Sequence, residues 1–471
     1  MTRFASRFRA EARRRMADGH ERAAVSKATA TYAAKVEETK AAFLDWPSGR
    51  GLLRSRKWEA IEHLDRFLEQ FERHAEARGT RVHWAADAAE ARAIILEICR
   101  RHEVRRVVKS KSMVTEEIHL NAALERHGIQ AVETDLGEYI AQLRGEPPYH
   151  IVTPVMHLTK EDIDGVFHKT LGTPLGATAE GLAGTARRVL REAYLTADLG
   201  VTGANFLVAD TGMISITENE GNGRLTSALP RVHVAVAGIE KVIPRLEDLA
   251  LFLPMLAVSG TGQPLTGYNT LLGGPRQPSE PDGPEEMHVV LLDNGRTRLL
   301  AEAETREALH CIRCGACLNA CPIFKSVGGF SYGTTYQGPI GSVITPHFRG
   351  LHEWKHLSYA SSLCGACSDV CPVHIDLHHH LLRNRRDAVA AGSASAFEWI
   401  AFRVWAGIMR SPAAYRFSAR AGRVAQRFSR MLGIEGSLLD PARAWTARRA
   451  APTLAPESFR DWWKRTRGGR P

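Results

Sequence analysis

The runs C-I-R-C-G-A-C-L-N-A-C-P at 311–322 and C-G-A-C-S-D-V-C-P at 364–372 hold seven of the eight cysteines of this 471-residue chain. The first has the C-x2-C-x2-C-x3-C-P spacing of bacterial-type ferredoxins, and the second is the same run without its first thiol. Three thiolates so spaced reach three corners of a cubane from one loop, while the cysteine before proline serves the neighbouring cluster. Aligning the runs sets Ser361 opposite Cys311. Cross-ligation then predicts a [4Fe–4S] cluster on Cys311, Cys314, Cys317 and Cys371, and a second cluster on Cys321, Cys364 and Cys367. The second is either [3Fe–4S] or a [4Fe–4S] whose fourth iron takes water, Ser361, Ser362, His374 or a partner's residue. Pro322 and Pro372 constrain the chain as it leaves each run. Gly315 and Gly365 let the backbone approach the sulfides closely.

Zinc also binds C-x2-C pairs, but four cysteines crowded into eleven residues and ending in Cys-Pro suit a cubane better than one tetrahedral ion. A radical-generating site is disfavoured because its usual spacing, three residues then two, is reversed in Cys364–Cys367–Cys371. Electron relay through two clusters is the first expectation; Lewis-acid chemistry at an open iron is the alternative. His374 and the consecutive His378, His379 and His380 read as a solvated first helical turn, since neighbours on a helix splay apart. Cys99, in an apolar helical pattern with Ile94, Ile95 and Ile98, reads as a buried structural thiol.

The composition, 44% apolar and 24% charged, is that of a globular protein long enough for two or three domains. The longest apolar run, Leu249 to Val258, is interrupted by Pro254, which excludes a spanning helix. The Arg-rich start (Arg3, Arg7, Arg9, Arg13 to Arg15) lacks an apolar core and reads as a basic amphipathic helix packing on a partner. Clustered cysteines without a signal peptide point to a reducing, cytoplasmic location. From Arg383 onward, eighteen Lys and Arg face six Asp and Glu, so this tail carries +12 of a whole-chain charge of +10. Phe397, Trp399, Phe402, Trp405, Trp445, Trp462 and Trp463 interleave with its arginines. Such a tail suits a protein docking surface or peripheral contact with the inner membrane face; nucleic acid is a weaker expectation.

Four segments follow from the patterning. Residues 1–80 read as helical, with a break at Trp46-Pro-Ser-Gly-Arg-Gly51. Residues 81–295 alternate strand-like runs (Arg105 to Val108, Ile129 to Glu133, Ile151 to Val155, Val232 to Val236, Val289 to Asp293) with helical stretches such as Glu117 to His127, which predicts a largely parallel α/β sheet. Phe206 to Thr217 reads as a hairpin at a sheet edge or end, and Gly273 to Pro284 as a connector. Residues 300–385 form the cysteine module and 386–471 a basic helical region. Within the α/β segment, Lys109-Ser-Lys111 after a strand and Glu218-Asn-Glu220-Gly-Asn-Gly-Arg224 after the hairpin form a candidate ligand loop, with Lys109, Lys111, Glu218, Glu220 and Arg224 as its polar groups. No dinucleotide fingerprint, Walker loop or nucleophile elbow is present.

Together V-K-S-K-S-M-V-T-E-E-I (108–118), E-T-D-L-G-E (133–138), G-A-N-F-L-V-A-D-T-G (203–212), E-N-E-G-N-G-R (218–224), Y-Q-G-P-I-G (336–341) and S-S-L-C-G-A-C (361–367) resemble the lactate utilization protein B family. The resemblance implies a lactate-utilization (LUD) domain, similar in fold to sugar-phosphate isomerases and CoA transferases. It also implies an all-α two-cluster ferredoxin module like that of succinate dehydrogenase's iron–sulfur subunit, in which Ser361 belongs to the family pattern. It further implies electron transfer in the oxidation of L-lactate to pyruvate, beside a heterodisulfide-reductase-like cysteine-rich protein and a smaller LUD protein. The residues themselves contain no flavin signature or other lactate-oxidising centre. Two other functions stay open at this level: a stand-alone oxidoreductase binding an organic acid in the LUD domain, and a redox-sensing regulator.

Overall fold

The β-branched runs pair as a parallel sheet in the computed structural model of the chain, which describes residues 2–440, 442–446 and 449–467. Ten strands occur among the described residues: β1 (Arg81–Ala85), β2 (Arg106–Lys109), β3 (Gln130–Glu133), β4 (Leu199–Gly203), β5 (Phe206–Val208), β6 (Met213–Glu218), β7 (Val232–Gly238), β8 (Val242–Ile243), β9 (Tyr268–Leu272) and β10 (Glu286–Leu292). Six of them form one parallel sheet in the order β1-β10-β7-β4-β2-β3. Strand β7 is buried along its whole length, as expected of a central strand covered on both faces. Because side chains alternate across a strand, Ala235 and Ala237 enter one core while Val232, Val234 and Val236 enter the other.

The hairpin is present, but its place differs from the expectation. Strands β5 and β6 pair antiparallel in the middle of a second sheet, ordered β8-β5-β6-β9, and do not edge the parallel one. Residues Ile151 to Val155 form no strand. Their backbone groups are satisfied locally: the N–H groups of Val152 and Thr153 both donate to His150 Nδ1 at 3.1 Å, and Lys111 Nζ donates to the Val152 carbonyl. The helix expected over 117–127 is two, Met113–Glu117 and Leu120–Arg126, separated by His119 in the left-handed region (φ 52°). In the N-terminal region the chain breaks before Trp46. Asp45 caps the helix Trp46–Glu62, whose first turn accepts Pro47 without loss of a hydrogen bond. Further breaks fall at Asp18 and His63.

The first helix, Arg3–Ala17, packs on its own chain. Phe4 stacks on Trp354 with ring centroids 4.3 Å apart, and Phe8 meets Tyr332 edge-on. The expected segments 1–80, 81–295 and 300–385 therefore share one unit, which ends at Ala391. One apolar core runs from the sheet residues Met287, Val289 and Leu291 to Leu318, Phe324 and Ile340 of the cysteine region. The second unit, from Gly392, consists of helices Ala396–Arg410, Pro412–Met431, Arg443–Thr446 and Phe459–Arg467 among the described residues. Phe397, Trp399, Phe402 and Trp405 are exposed there. Residues 441, 447, 448 and 468–471 of the expected basic region lie outside the described residues. No described helix is long and apolar enough to cross a membrane.

A buried charge network ties the sheet to the cysteine loop. Fully buried Arg296 donates to both carboxylate oxygens of Glu117 (3.0 and 2.9 Å) and to Glu240, while Arg313 donates to the other oxygen of Glu240 at 3.2 Å. Tyr336 and Asn294 each complete Glu117 with a 2.6 Å bond. Gly238 is required beside it, since a Cβ there would stand 2.1 Å from Glu240 and 2.4 Å from Arg296. Burial opposes ionisation of Glu240, yet Arg296 and Arg313 hold its carboxyl at about 2. Removing one partner leaves a buried charge uncompensated. Arg296→Met is expected to cost about 3–5 kcal/mol and Tyr336→Phe roughly 1.5–3 kcal/mol, read as lowered denaturant midpoints. A smaller loss from Arg296→Met than from Tyr336→Phe would contradict this order.

Candidate iron–sulfur centre and adjoining cavity

Both cysteine runs impose the same backbone. The residue before Cys314 in the first run and before Cys364 at the aligned place in the second is left-handed (Arg313, φ 62°; Leu363, φ 54°), and so is the glycine that follows (Gly315, φ 82°; Gly365, φ 83°). This duplicated turn gathers successive thiols on one side, and glycine accepts its second step without steric cost. The Arg313 N–H donates to Cys311 Sγ at 3.4 Å, and at the matching place the Leu363 N–H donates to Ser361 Oγ at 3.1 Å. Ser361 thus stands where the first run has its thiol.

The thiols gather in two sets. Cys311, Cys314, Cys317 and Cys371 line one small cavity with Ile312, Ile340 and Val373. Burial, followed by repulsion from neighbouring thiolates, raises Cys314 and Cys317 well above the usual thiol range. Burial pushes Cys371 up to about 12, against the N–H groups of Ile375 and Val373. Cys321, Cys364 and Cys367 make the second set: Cys367 is raised to about 11 by burial and then by Cys321, and Cys364 acts on both. Cys364 is exposed and its thiol is lowered by the Ala366 N–H and the Ser362 hydroxyl. Tyr332 is buried, and burial, then Cys321 and Cys317, one thiol of each set, hold its phenol above the ordinary range.

Free thiols that repel one another in a dry pocket cannot all ionise without a polycation among them. The donor set, all sulfur with backbone N–H groups aimed at Sγ of Cys311, Cys321 and Cys371, fits iron–sulfur cores. Cations surround the four-thiol set. Arg50, from the supposed break at Trp46–Gly51, donates to the carbonyls of Cys371 (2.7 Å) and Asp369 (2.9 Å). Lys57, fully buried and pushed down to about 7 by desolvation, donates to the Glu240 carbonyl and lies near Cys311.

A cavity of 380 Å³ adjoins this set. It lies at the carboxyl ends of β3, β2, β4 and β7, the usual ligand position of an open α/β sheet. Lys111, Glu218 and Glu220 of the candidate loop line it, beside Asp135 and Asn205. Burial, then Asp135, push Glu220 up to about 7. Lys109 and Arg224 do not line the cavity. Lys109 is buried among Glu133 (2.8 Å), Glu116 (3.0 Å) and Glu138 (3.9 Å); although burial opposes its charge, these carboxylates hold its ammonium above the ordinary range. Arg224 is exposed, with its guanidinium over the Tyr268 ring. The far wall is Arg313, Cys314 and Tyr336 from the cysteine region, with Lys241 after β7. Neither Lys241 nor Tyr336 carries a spacing signal; only the chain's return to the sheet brings them there.

The histidines do not all splay. His378 and His379 both turn Nδ1 to Asp376, at 3.2 and 2.6 Å, whereas His380 is buried against Glu307 at 3.3 Å. Cys99 is buried, and desolvation pushes its thiol up to about 12.

Known protein families match three stretches of the chain. A LUD domain model matches residues 68–292, a 4Fe-4S dicluster domain model matches 307–375, and a model described as lactate utilisation protein B, C-terminal, matches 382–467. Lactate utilization protein B of Bacillus pumilus is 43% identical over 423 residues, 89% of either chain. That of Shouchella clausii is 42% identical over 452 residues, 95% of this chain and 94% of the relative. That of Geobacillus thermodenitrificans is 42% identical over 432 residues, 90% of either chain.

Burial makes a prediction about the thiols themselves. In chelator-treated, anaerobic protein, iodoacetamide is expected to label Cys364 first and Cys314, Cys317 and Cys371 last, because thiolate fraction and access both favour Cys364. Peptide mass spectrometry over time checks the order, and early labelling of Cys314 would contradict the buried set.

Proposed function

The chain belongs to the lactate utilization protein B family, and from that membership we propose that it is the electron-transfer subunit of a complex oxidising L-lactate to pyruvate. The carrying observation is the division of seven thiols into a four that share one small cavity, with Cys314, Cys317 and Cys371 buried, and a three that reaches the surface at Cys364. Cys311, Cys314, Cys317 and Cys371 hold a [4Fe–4S] cluster in this reading, and Cys321, Cys364 and Cys367 hold a [4Fe–4S] or [3Fe–4S] cluster. Such clusters, when bound, supply one-electron transfer. Ser361 is the favoured fourth ligand of the three-thiol set, because its hydroxyl takes the N–H that Cys311 takes in the first run.

The chain's own residues keep the inner site dry and positively biased. Ile312, Ile340 and Val373 exclude water from the four thiols, while Lys57, Lys241 and Arg313 favour added negative charge there. Tyr332, buried, lies within electrostatic range of one thiol of each set. The exposed Cys364 marks the face through which electrons pass to or from a partner. The partners we propose are a heterodisulfide-reductase-like cysteine-rich protein and a smaller LUD protein, in the cytoplasm. The C-terminal helices, with exposed Phe397, Trp399 and Phe402 among arginines, are the proposed docking arm, with the inner membrane face as the rival surface. Substrate chemistry at an open iron of the three-thiol set is disfavoured, since the large cavity meets Cys314 of the four-thiol set.

Anaerobically purified protein is expected to contain seven or eight irons per chain and two interacting EPR signals. Cys371→Ser should remove the signal of the inner set, and Cys364→Ser that of the outer set. Stoichiometric zinc without iron would end the reading. Purified chain with L-lactate and an artificial acceptor should not turn over, and turnover without partners would sink the subunit assignment.

A further inference from the structure

Strand β10 begins Glu286-Met-His288, and residues two apart on a strand project from the same face. Parallel pairing sets Arg81 of β1 opposite His288, so Arg81 and His83 share that face. The helix Ala88–Arg101 shares a core there, its Ile95 and Ile98 with Val290 and Leu292 of β10, and it ends at His102. Glu103, left-handed at φ 50°, turns the chain beyond it. Three side chains thus converge. His102 Nε2 and His288 Nε2 each stand 3.6 Å from Glu286 Oε2, and the three atoms lie within 4.8 Å of one another. At that distance neither imidazole is hydrogen-bonded to the carboxylate. Both nitrogens are buried without a hydrogen-bond partner among the described residues, and His288 is 0% exposed. Buried polar atoms left so cost free energy unless an ion or water meets them.

The spacing and the outer contacts narrow the choice to an ion. Donors about 2.0–2.1 Å from a tetrahedral metal stand about 3.3–3.4 Å apart, close to the separation of each imidazole from the carboxylate. His288 Nδ1 lies 3.0 Å from His83 Nε2, so an Nδ1–H donated to His83 leaves the Nε2 lone pair facing Glu286. Arg81 donates to Glu286 Oε2 at 2.6 Å, and an ionised carboxylate has lone pairs for both a donor and an ion. The Arg81 guanidinium opposes a cation, but it is half-exposed and screened by solvent. Asp376, His378 and His379 also converge, yet His379 is exposed and Ser368 Oγ already bonds His378 Nδ1 at 2.8 Å.

We propose that His102, Glu286 and His288 bind one zinc ion at the amino end of β10, with water in the remaining position, and that the ion clamps the end of helix Ala88–Arg101 to the sheet. Two imidazoles and one carboxylate suit zinc, and such a donor set prefers zinc to iron(II). None of the three residues lines the 380 Å³ cavity or the cavity of the four thiols. The ion site therefore stands whatever the thiols hold.

Metal analysis and zinc-edge X-ray absorption on the anaerobic, iron-loaded full chain test it, since bound clusters keep the seven cysteines from taking zinc. After equilibration with zinc chloride and gel filtration, one zinc per chain is expected in addition to the iron. Its nearest neighbours should be nitrogen and oxygen at about 2.0–2.1 Å, with the outer shells of two imidazoles and no sulfur at about 2.3 Å. Competition with a fluorescent zinc chelator gives the affinities of the variants. His83→Phe, which spares all three donors, should weaken zinc about ten- to a hundredfold, and His102→Ala or Glu286→Gln by more. No zinc retained by wild type, a sulfur shell around it, or an unchanged affinity in His102→Ala would each overturn the proposal; the last would mark an adventitious ion only. Unchanged iron content shows that a variant has assembled. If the variants lose iron, the ligand shell of zinc in wild type decides alone.

Discussion

Glu240 accepts from Arg296 on the sheet side and from Arg313 on the cysteine loop, and the site's geometry depends on that shared carboxylate. Two guanidiniums converge on one buried anion, so neither can leave without stranding the others in a dry interior. The consequence is positional. Arg313 sits between Cys311 and Cys314 in a left-handed conformation, and holding it by its side chain holds the turn that presents both thiols. Glu117, Asn294 and Tyr336 extend the same network and tie the parallel sheet to the cysteine region within one unit.

That coupling changes what the α/β part is for. A sheet with a cavity at its carboxyl edge is ordinary, and a loop with cluster-spaced thiols is ordinary too. Here the cavity's far wall is the loop itself, through Arg313 and Cys314. Charge in the cavity and charge on the inner thiols therefore act on each other over a short distance in a medium with little water to screen them. Any electrostatic coupling between the two is reciprocal by thermodynamic necessity. The outer set differs in kind, with Cys364 in solvent and Ser361 in the place of a fourth thiol.

Much of this was legible in the residues. Spacing alone separated seven cysteines from Cys99 and paired Cys371 with the first run, because the reach of a short loop leaves few arrangements. The alternation of β-branched and helical stretches marked the parallel sheet, since burial on both faces leaves a continuous apolar signature. Errors fell where a side chain overrode the local pattern. Ile151 to Val155 has strand-forming residues, but His150 and Lys111 take its backbone groups. Lys109 looked like a ligand group beside a helix start, but Glu133 from the adjacent strand claims it. His378 and His379 looked divergent, but Asp376 draws both.

By itself, then, the amino-acid sequence determined the grouping of the thiols, the class of the sheet and the family, because these depend on short-range spacing and periodicity. Only the tertiary structure decided that Lys241, Arg313 and Tyr336, far apart along the chain, close one cavity over Cys314. No local pattern encodes such a meeting. It follows from burying the sheet's apolar face against the cysteine region, and from the need to pair every charge that this burial takes out of water.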